Sequence, residues 1–432
     1  MKSRIALIPF VENNTSNRLN PFMTAIDVVE TADGSQHYYE DKKYQKQIPD
    51  ETNITYSFPE LLYGMPHMRY EPTSVVIHEF VKPDGVNKLN PFDYAKYIAS
   101  QIPLKHSGDH LYEYYNGYYH EMSKNDQYNL VMKCCGNEIC KAGNPSVIKK
   151  ILTALKYLPE IQYNELEENP DLIPFQNGFL DIGQMVFSPS DSSHFFRYSV
   201  TTNYEPWNNE CPVFMNYLNT ITGYNWNMNT RILEIIGYLI TAHTDAKKFF
   251  VFAGVGNSGK SLLINVIESL ISQNSVFSAS MNDLGTQFTM GYMNGAQLCV
   301  CSDLSSAPIT KGAVGNIKML TGGDTIFCEK KNGPRIRMRK NTRLLFSTNH
   351  EITTVYPDKA FMDRCCVVPF LYSIPISKQD PYLFEKLYYE RPAIVNAALC
   401  AYISMRVQRY GMGVEFTGEA EAQLMYHSYF QR

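Results

Sequence analysis

The sequence is short of tryptophan, of long apolar runs and of net charge, and each scarcity excludes something. No stretch approaches the ~20 consecutive apolar residues that a membrane-spanning helix needs, so no membrane partner is expected. The opening MKSRIALIPFVENN has two early basic residues, but its apolar run is short and broken by Pro9, which argues against a secretory signal. A formal net charge of −4 creates no global field for nucleic acid. Any such binding must rest on a local concentration of lysine and arginine. Internal repeats and low-complexity tracts are absent. The 44% hydrophobic and 19% charged content is that of an ordinary folded chain, and 432 residues are enough for two or three cores. Ten cysteines without a signal read as reduced thiols, hence a cytoplasmic protein. Cys134, Cys135 and Cys140 come nearest to a metal pattern but lack a second ligand pair at finger-like spacing. Cys299 and Cys301, and the adjacent Cys365 and Cys366, sit in apolar runs and are expected to pack in buried strands. Tyrosine is abundant, 31 residues against 2 tryptophans, which suits either a contact surface or a core.

What is present organises the chain into four stretches. Residues 1–89 are rich in Tyr, Pro, Asn and Thr, with short apolar runs such as Ser74–Phe80, and suggest a small mixed α/β unit of unclear role. Residues 90–228 have clearer patterns. Helical spacing covers Phe92–Ile102, two strands flank an Asn-Gly turn in His110–Met122, an amphipathic helix follows Asn-Pro over Asn144–Leu158, and short strands fill Leu172–Ser190. Residues 229–372 open with a compact helix, Arg231–His243, and alternate strands and helices from Ala246 as a parallel sheet with crossovers would. Residues 373–432 read as helical.

The motif with most chemistry is VFAGVGNSGKSLLINVIESLI, Val251–Ile271. Gly254, Gly259, Lys260 and Ser261 fit G-x-x-x-x-G-K-[ST] between a strand and a helix. Glycines let the backbone curl so that successive amides of the loop, Gly254, Val255, Gly256, Asn257, Ser258 and Gly259 into Lys260, Ser261 and Leu262, can face a phosphate at the helix N-terminus. Lys260 would reach the β- and γ-phosphates of ATP, and the Ser261 hydroxyl would join the shell of a Mg²⁺ ion. Hydrolysis needs a carboxylate at the end of a neighbouring strand, and Ala296–Asp303 is an apolar run ending in Asp303. A second apolar run, Thr342–His350, ends in Thr348 and Asn349, whose amide could orient the attacking water. Between them two apolar-basic runs flank KKNGP, which reads as a β-hairpin with Lys330 and Lys331 near its tip. From Lys330 to Arg343 there are seven Lys or Arg and no acid, a concentration suited to a DNA backbone or simply to a solvated ribbon. Arg364 precedes a short apolar strand and could pair with Asp363 or reach a neighbouring subunit's nucleotide as an arginine finger.

In this order the motifs resemble the superfamily 3 helicases of viruses, phages and mobile elements, in the branch of poxvirus-type primase-helicases and phage or plasmid replication proteins. The resemblance rests on Gly254–Ser261, Asp303, the LTGGD segment Leu320–Asp324 with Lys330 and Lys331, Thr348–Asn349, and Arg364–Phe370, with FQNGFLDI and Thr201–Pro206 upstream. It spans roughly residues 90–411. It implies an α/β fold, an AAA+ P-loop ATPase domain at 229–372 between a helicase-associated region and a C-terminal helical segment. It further implies a ring-forming homo-oligomer, usually a hexamer, unwinding single-stranded or forked DNA 3′ to 5′ with ATP and Mg²⁺ in a bacterial or virus-infected cell. A replication initiator or primase is a further candidate partner. Under the resemblance Lys260 and Ser261 bind nucleotide and metal, Asp303 is the acid, Asn349 the sensor, Arg364 the finger in trans, and Lys330 or Lys331 the DNA contact. Two departures stand out. The family's acidic motif often offers two carboxylates, whereas Ser302 precedes Asp303 here, and no primase signature precedes residue 90. A nucleotide-dependent DNA-binding initiator or ring-shaped switch is therefore the alternative, with a small-molecule kinase a third reading that leaves the hairpin without a task.

Overall fold

The computed structural model describes residues 26–30, 36–40 and 90–431, apart from positions 109, 143–144, 164–168, 325, 332, 334, 339–341 and 411. The apolar run Ser74–Phe80 lies outside the described residues. In the first part of the chain β1 (Ile26–Glu30) and β2 (Gln36–Glu40) form an antiparallel pair.

From residue 90 the chain follows its apolar periodicity. In α1 (Pro91–Gln101) Asn90 caps by accepting from the Phe92 amide at 3.2 Å, and Pro91 occupies a first-turn position whose amide would lack a partner anyway. The strands β3 (Leu104–Ser107), β4 (His110–Tyr115) and β5 (Tyr118–Glu121) form an antiparallel meander. Its tight turn uses Asn116 and Gly117, both at positive φ (53° and 84°), the geometry that Asn-Gly favours between twisted strands. Then come α2 (Lys124–Ala142) and α3 (Ser146–Lys156), and α3 buries Ile148, Ile151, Leu152 and Leu155 against α1. Tyr94, Tyr112, Tyr118 and Tyr119 are all buried, so these early tyrosines serve the core. A second meander, β6 (Leu172–Phe175), β7 (Gly178–Asp181) and β8 (Val186–Pro189), leads into α4 (Pro212–Thr222) and α5 (Trp226–Ile240). Helix α5 starts five residues before the expected Arg231, because the Asn225 side chain accepts from the Met228 amide at 3.1 Å.

The centre is a five-stranded parallel sheet, a doubly covered α/β layer as expected. Its members in chain order are β9 (Phe249–Gly254), α6 (Lys260–Ser269), β10 (Val276–Ser278), α7 (Thr289–Met293), β11 (Leu298–Cys301), α8 (Lys311–Gly322), a hairpin of β12 (Ile326–Glu329) and β13 (Arg335–Met338), β14 (Arg343–Thr348), α9 (Lys359–Met362) and β15 (Cys365–Phe370). The sheet order is β10-β11-β14-β9-β15, with every neighbouring pair parallel. All residues of β9, β14 and β15 are buried, as strands covered on both faces must be. Cys299, Cys365 and Cys366 pack inside it, while Cys301 at the end of β11 is only half-buried.

The tail adds α10 (Leu383–Tyr389), α11 (Arg391–Gln408) and α12 (Glu419–Phe430). One apolar cluster joins α4, α5, α6 and α11 to one sheet face; another joins α7, α8 and α12 to the other. Arg231, fully buried, fastens the tail. Its guanidinium donates to the carbonyls of Val367 (2.9 Å), Phe416 and Thr417 (both 3.1 Å), to the Cys366 sulfur (2.9 Å) and to Glu419 (2.5 Å). Among the described residues no helix is long and apolar enough to cross a membrane.

Candidate nucleotide site

Parallel strands deliver their C-terminal ends to one edge of a sheet, and crossover loops gather there. The register makes this concrete: Thr348 of β14 lies beside Ala253 of β9, and Cys301 of β11 beside Phe346 of β14. The loops after β9, β11 and β14 therefore emerge together.

The loop after β9 is held from three sides. The Val255 amide donates to the Phe370 carbonyl at 3.0 Å, the Ile374 amide to the Asn257 carbonyl at 2.8 Å, and the buried Tyr217 hydroxyl of α4 to the Gly259 carbonyl at 2.7 Å. Gly254 has φ +148°, and a Cβ there would stand 2.0 Å from the Phe370 oxygen, so only glycine lets β9 leave beside β15. Asn257 and Gly259 adopt φ 56° and 89°, and Ser258 Oγ donates to the Val255 carbonyl at 2.8 Å. The curl opens onto the N-terminus of α6.

Lys260, only 6% exposed, folds back into this curl. Its Nζ donates to the Gly254 carbonyl and to Ser258 Oγ, both at 3.1 Å, and to the Val255 carbonyl. Burial pulls its ammonium down to about 8, against the opposing influence of Asp303. A buried cation whose hydrogen-bond partners are all neutral fits an incoming anion.

Gly256, Asn257, Ser258, Gly259, Lys260, Ser261 and Leu262 line a cavity of about 860 Å³ together with Ser302, Asp303, Ser347 and Asn349. Gly254 and Val255 do not line it but shape the loop through their contacts with Phe370. Asp303 stands two residues beyond the end of β11 rather than on the strand. Thr348 and Asn349, adjacent in sequence, part company. Thr348 Oγ1 accepts from the His350 amide at 2.9 Å and so closes the turn, whereas Asn349 faces the cavity. Sequence reasoning missed Ser347 and the far wall. That wall consists of Asn216, Tyr217, Thr220 and Tyr224 on or after α4, and Lys378, Gln379 and Asp380 before α10. No local motif marks these residues; only tertiary packing brings them to the loop.

The remaining site residues lie elsewhere. The Arg364 carbonyl accepts from the Phe249 amide at 2.9 Å, while Phe370 is level with Gly254. Arg364 thus sits at the opposite edge of the sheet, roughly 20 Å of extended strand from the loop. Its guanidinium donates to the Ala360 carbonyl at 2.6 Å, a local tie to α9 rather than to Asp363, one of the two partners considered for it. Lys330 and Lys331 follow β12 at the hairpin tip, Lys331 exposed. Glu121 of β5 feels Lys330: its carboxyl is held below the usual range mainly by a 2.7 Å hydrogen bond to His110, with Arg197 and Lys330 adding to this and burial opposing it. Arg343, counted with the basic run, is buried at the start of β14 and donates to the His243 carbonyl at 2.7 Å, so it does not belong to the hairpin surface.

Residues 94–223 match the family described as D5 N terminal like, and residues 252–364 match a family of unknown function, DUF5906. The first segment ends at the close of α4 and the second runs from β9 to Arg364, so the cavity is built from both and from the tail. Among solved structures, the apo structure of NrS-1 C terminal region (305-718) has a TM-score of 0.51 at 10% identity over 79% of this chain and 76% of that chain. The A form apo structure of the same region gives 0.49 at 10% identity, over 78% and 75%. The first likeness shows a shared fold.

Proposed function

We propose that this chain is an ATP-dependent DNA helicase of the superfamily 3 type, an AAA+ P-loop ATPase serving replication of a phage, plasmid or mobile element. The observation that carries the reading is the convergence of Lys260, Ser261, Asp303 and Asn349, from three separate crossover loops, on one cavity at the C-terminal edge of a parallel sheet. The D5 N terminal like match supports the family resemblance. In this reading residues 229–372 are the motor, 90–228 its associated domain and 373–432 a helical segment. The loop amides and Lys260 hold the phosphates of ATP. Ser261 and Asp303 would hold a Mg²⁺ ion, which would supply neutralising charge at the β- and γ-phosphates. Asp303 polarises the attacking water and Asn349 orients it. Arg364, too far from its own cavity, acts on a neighbouring subunit's nucleotide in a ring, with 3′ to 5′ movement along one strand and Lys330 and Lys331 on the backbone.

One observation favours a second reading. The carboxylates lining the cavity are Asp303 and Asp380, and Asp380 is tied to Lys386 at 2.6 Å. A single free acid suits slow turnover, as in a DNA-binding initiator or ring-shaped switch. ATPase assays with and without single-stranded DNA separate the two. A rate raised several-fold by DNA and abolished in Lys260→Ala is the helicase result; turnover indifferent to DNA would sink it in favour of the switch.

A further inference from the structure

The hairpin β12–β13 has two unlike faces. Alternation turns Ile326, Cys328 and Met338 into the core. The other face carries Phe327, Arg335 and Arg337, all exposed. Phe327 is 56% exposed, with Arg337 directly opposite it in the register and the Arg335 guanidinium 5.3 Å from its ring centroid. A single exposed phenylalanine needs no explanation. This one stands among the cations of a chain whose net charge is negative, with Lys330 and Lys331 at the same tip. The ribbon is also backed: α7 packs so closely that a Cβ on Gly291 would lie 2.2 Å from the Glu329 carbonyl. The acid on this face, Glu329, is engaged by Gln287 Nε2 at 2.9 Å.

An exposed aromatic ring with a guanidinium over it and a second arginine opposite it in the register, on a supported ribbon, is the chemistry that stacks bases while neutralising the phosphates beside them. We infer that the outer face of this hairpin is a base-stacking surface for single-stranded DNA, with Phe327 as the platform and Arg335 and Arg337 on the adjacent phosphates. The inference rests on the reading of the chain as a DNA-moving ATPase. It adds a contact with the bases to the backbone contact assigned to the tip lysines.

The two kinds of contact separate in a salt titration. Binding of the full chain to a fluorescent oligothymidylate is followed by anisotropy across a salt series, with the wild type, Phe327→Ala, Phe327→Tyr and Lys331→Ala. Phe327→Ala weakens binding about 5- to 100-fold at every salt concentration with the slope unchanged, as loss of one stacked base requires. Phe327→Tyr restores it. Lys331→Ala flattens the logarithmic salt slope by about 0.7, the signature of one lost phosphate contact on a single strand. On an oligonucleotide of abasic sites the wild type and Phe327→Ala bind alike. Wild-type affinity in Phe327→Ala, or an equal loss on abasic DNA, overturns the inference. A change of oligomeric state in Phe327→Ala with DNA affinity intact also overturns it and assigns the face to contacts between copies. Failure of the wild type to bind DNA at all refutes the functional reading itself, and this inference with it.

Discussion

Lys260 supplies a prediction that depends on its position more than on its identity. Burial in the loop brings its ammonium to about 8 in the nucleotide-free chain, against an ordinary lysine value of about 10.4. A bound polyphosphate would restore the charge, so nucleotide binding and protonation are linked. At pH 8.5 about a quarter of the free protein carries the proton, and binding should take up roughly three-quarters of a proton per nucleotide. At pH 7.5 the fractions reverse and uptake falls to roughly a quarter. Affinity should fall about tenfold per pH unit, or about 1.4 kcal/mol, from pH 8 until the bound lysine itself titrates. The direction for stability also follows. Between pH 8 and about 10.5 the unfolded chain keeps a proton that the folded chain has released, so this residue's contribution to stability rises with pH through that window. Calorimetric titration with Mg-ADP in buffers of different ionisation enthalpy measures the uptake. Lys260→Arg, charged throughout, is the control and should show no linkage. Uptake below about 0.2 proton at pH 8.5 would refute the buried, folded-back lysine as the starting state.

Other perturbations test the frame around it. Gly254→Ala would drive a Cβ to 2.0 Å from the Phe370 oxygen, backbone against backbone. It should cost about 3 kcal/mol or more and abolish nucleotide-induced stabilisation in melting curves. Arg231→Met strands the acceptors that tie the tail to β15, and should cost on the order of 3–5 kcal/mol, lowering the midpoint by roughly 10 °C. Arg364→Ala subunits should still bind nucleotide, because Arg364 is remote from its own cavity. Mixed into wild-type protein they should depress ATPase more than dilution requires, and strictly proportional loss would exclude a finger acting in trans.

Much of the frame was legible where local chemistry decides. The Asn-Gly turn between β4 and β5, the apolar strands entering crossover loops and the hairpin around KKNGP all follow from residue type and spacing. Even the early start of α5 had a signal in Asn225, a capping residue the apolar pattern did not weigh. Long-range packing left no such trace. Tyr217 beneath the loop, Ser347 beside it and the wall after β15 come from segments with no shared spacing. Nor does a charge pattern tell a buried arginine from an exposed one: Arg343 and Arg337 belong to one basic run, yet the first is buried, donating to the His243 carbonyl and to Gln297 Oε1. The motif places Lys260 at the phosphate, but its hydrogen bonds inside the loop, and so its depressed proton affinity, follow from how the loop folds back on it.

The proposed function requires that energy from this cavity move DNA. Strand displacement on a forked duplex, with ATP and Mg²⁺, tests it most directly when wild type and Lys260→Ala are compared as folded proteins. Unwinding from a 3′ single-stranded tail by the wild type and none by the variant is the expected result. A folded, oligomeric wild type that displaces no more strand than Lys260→Ala would contradict it.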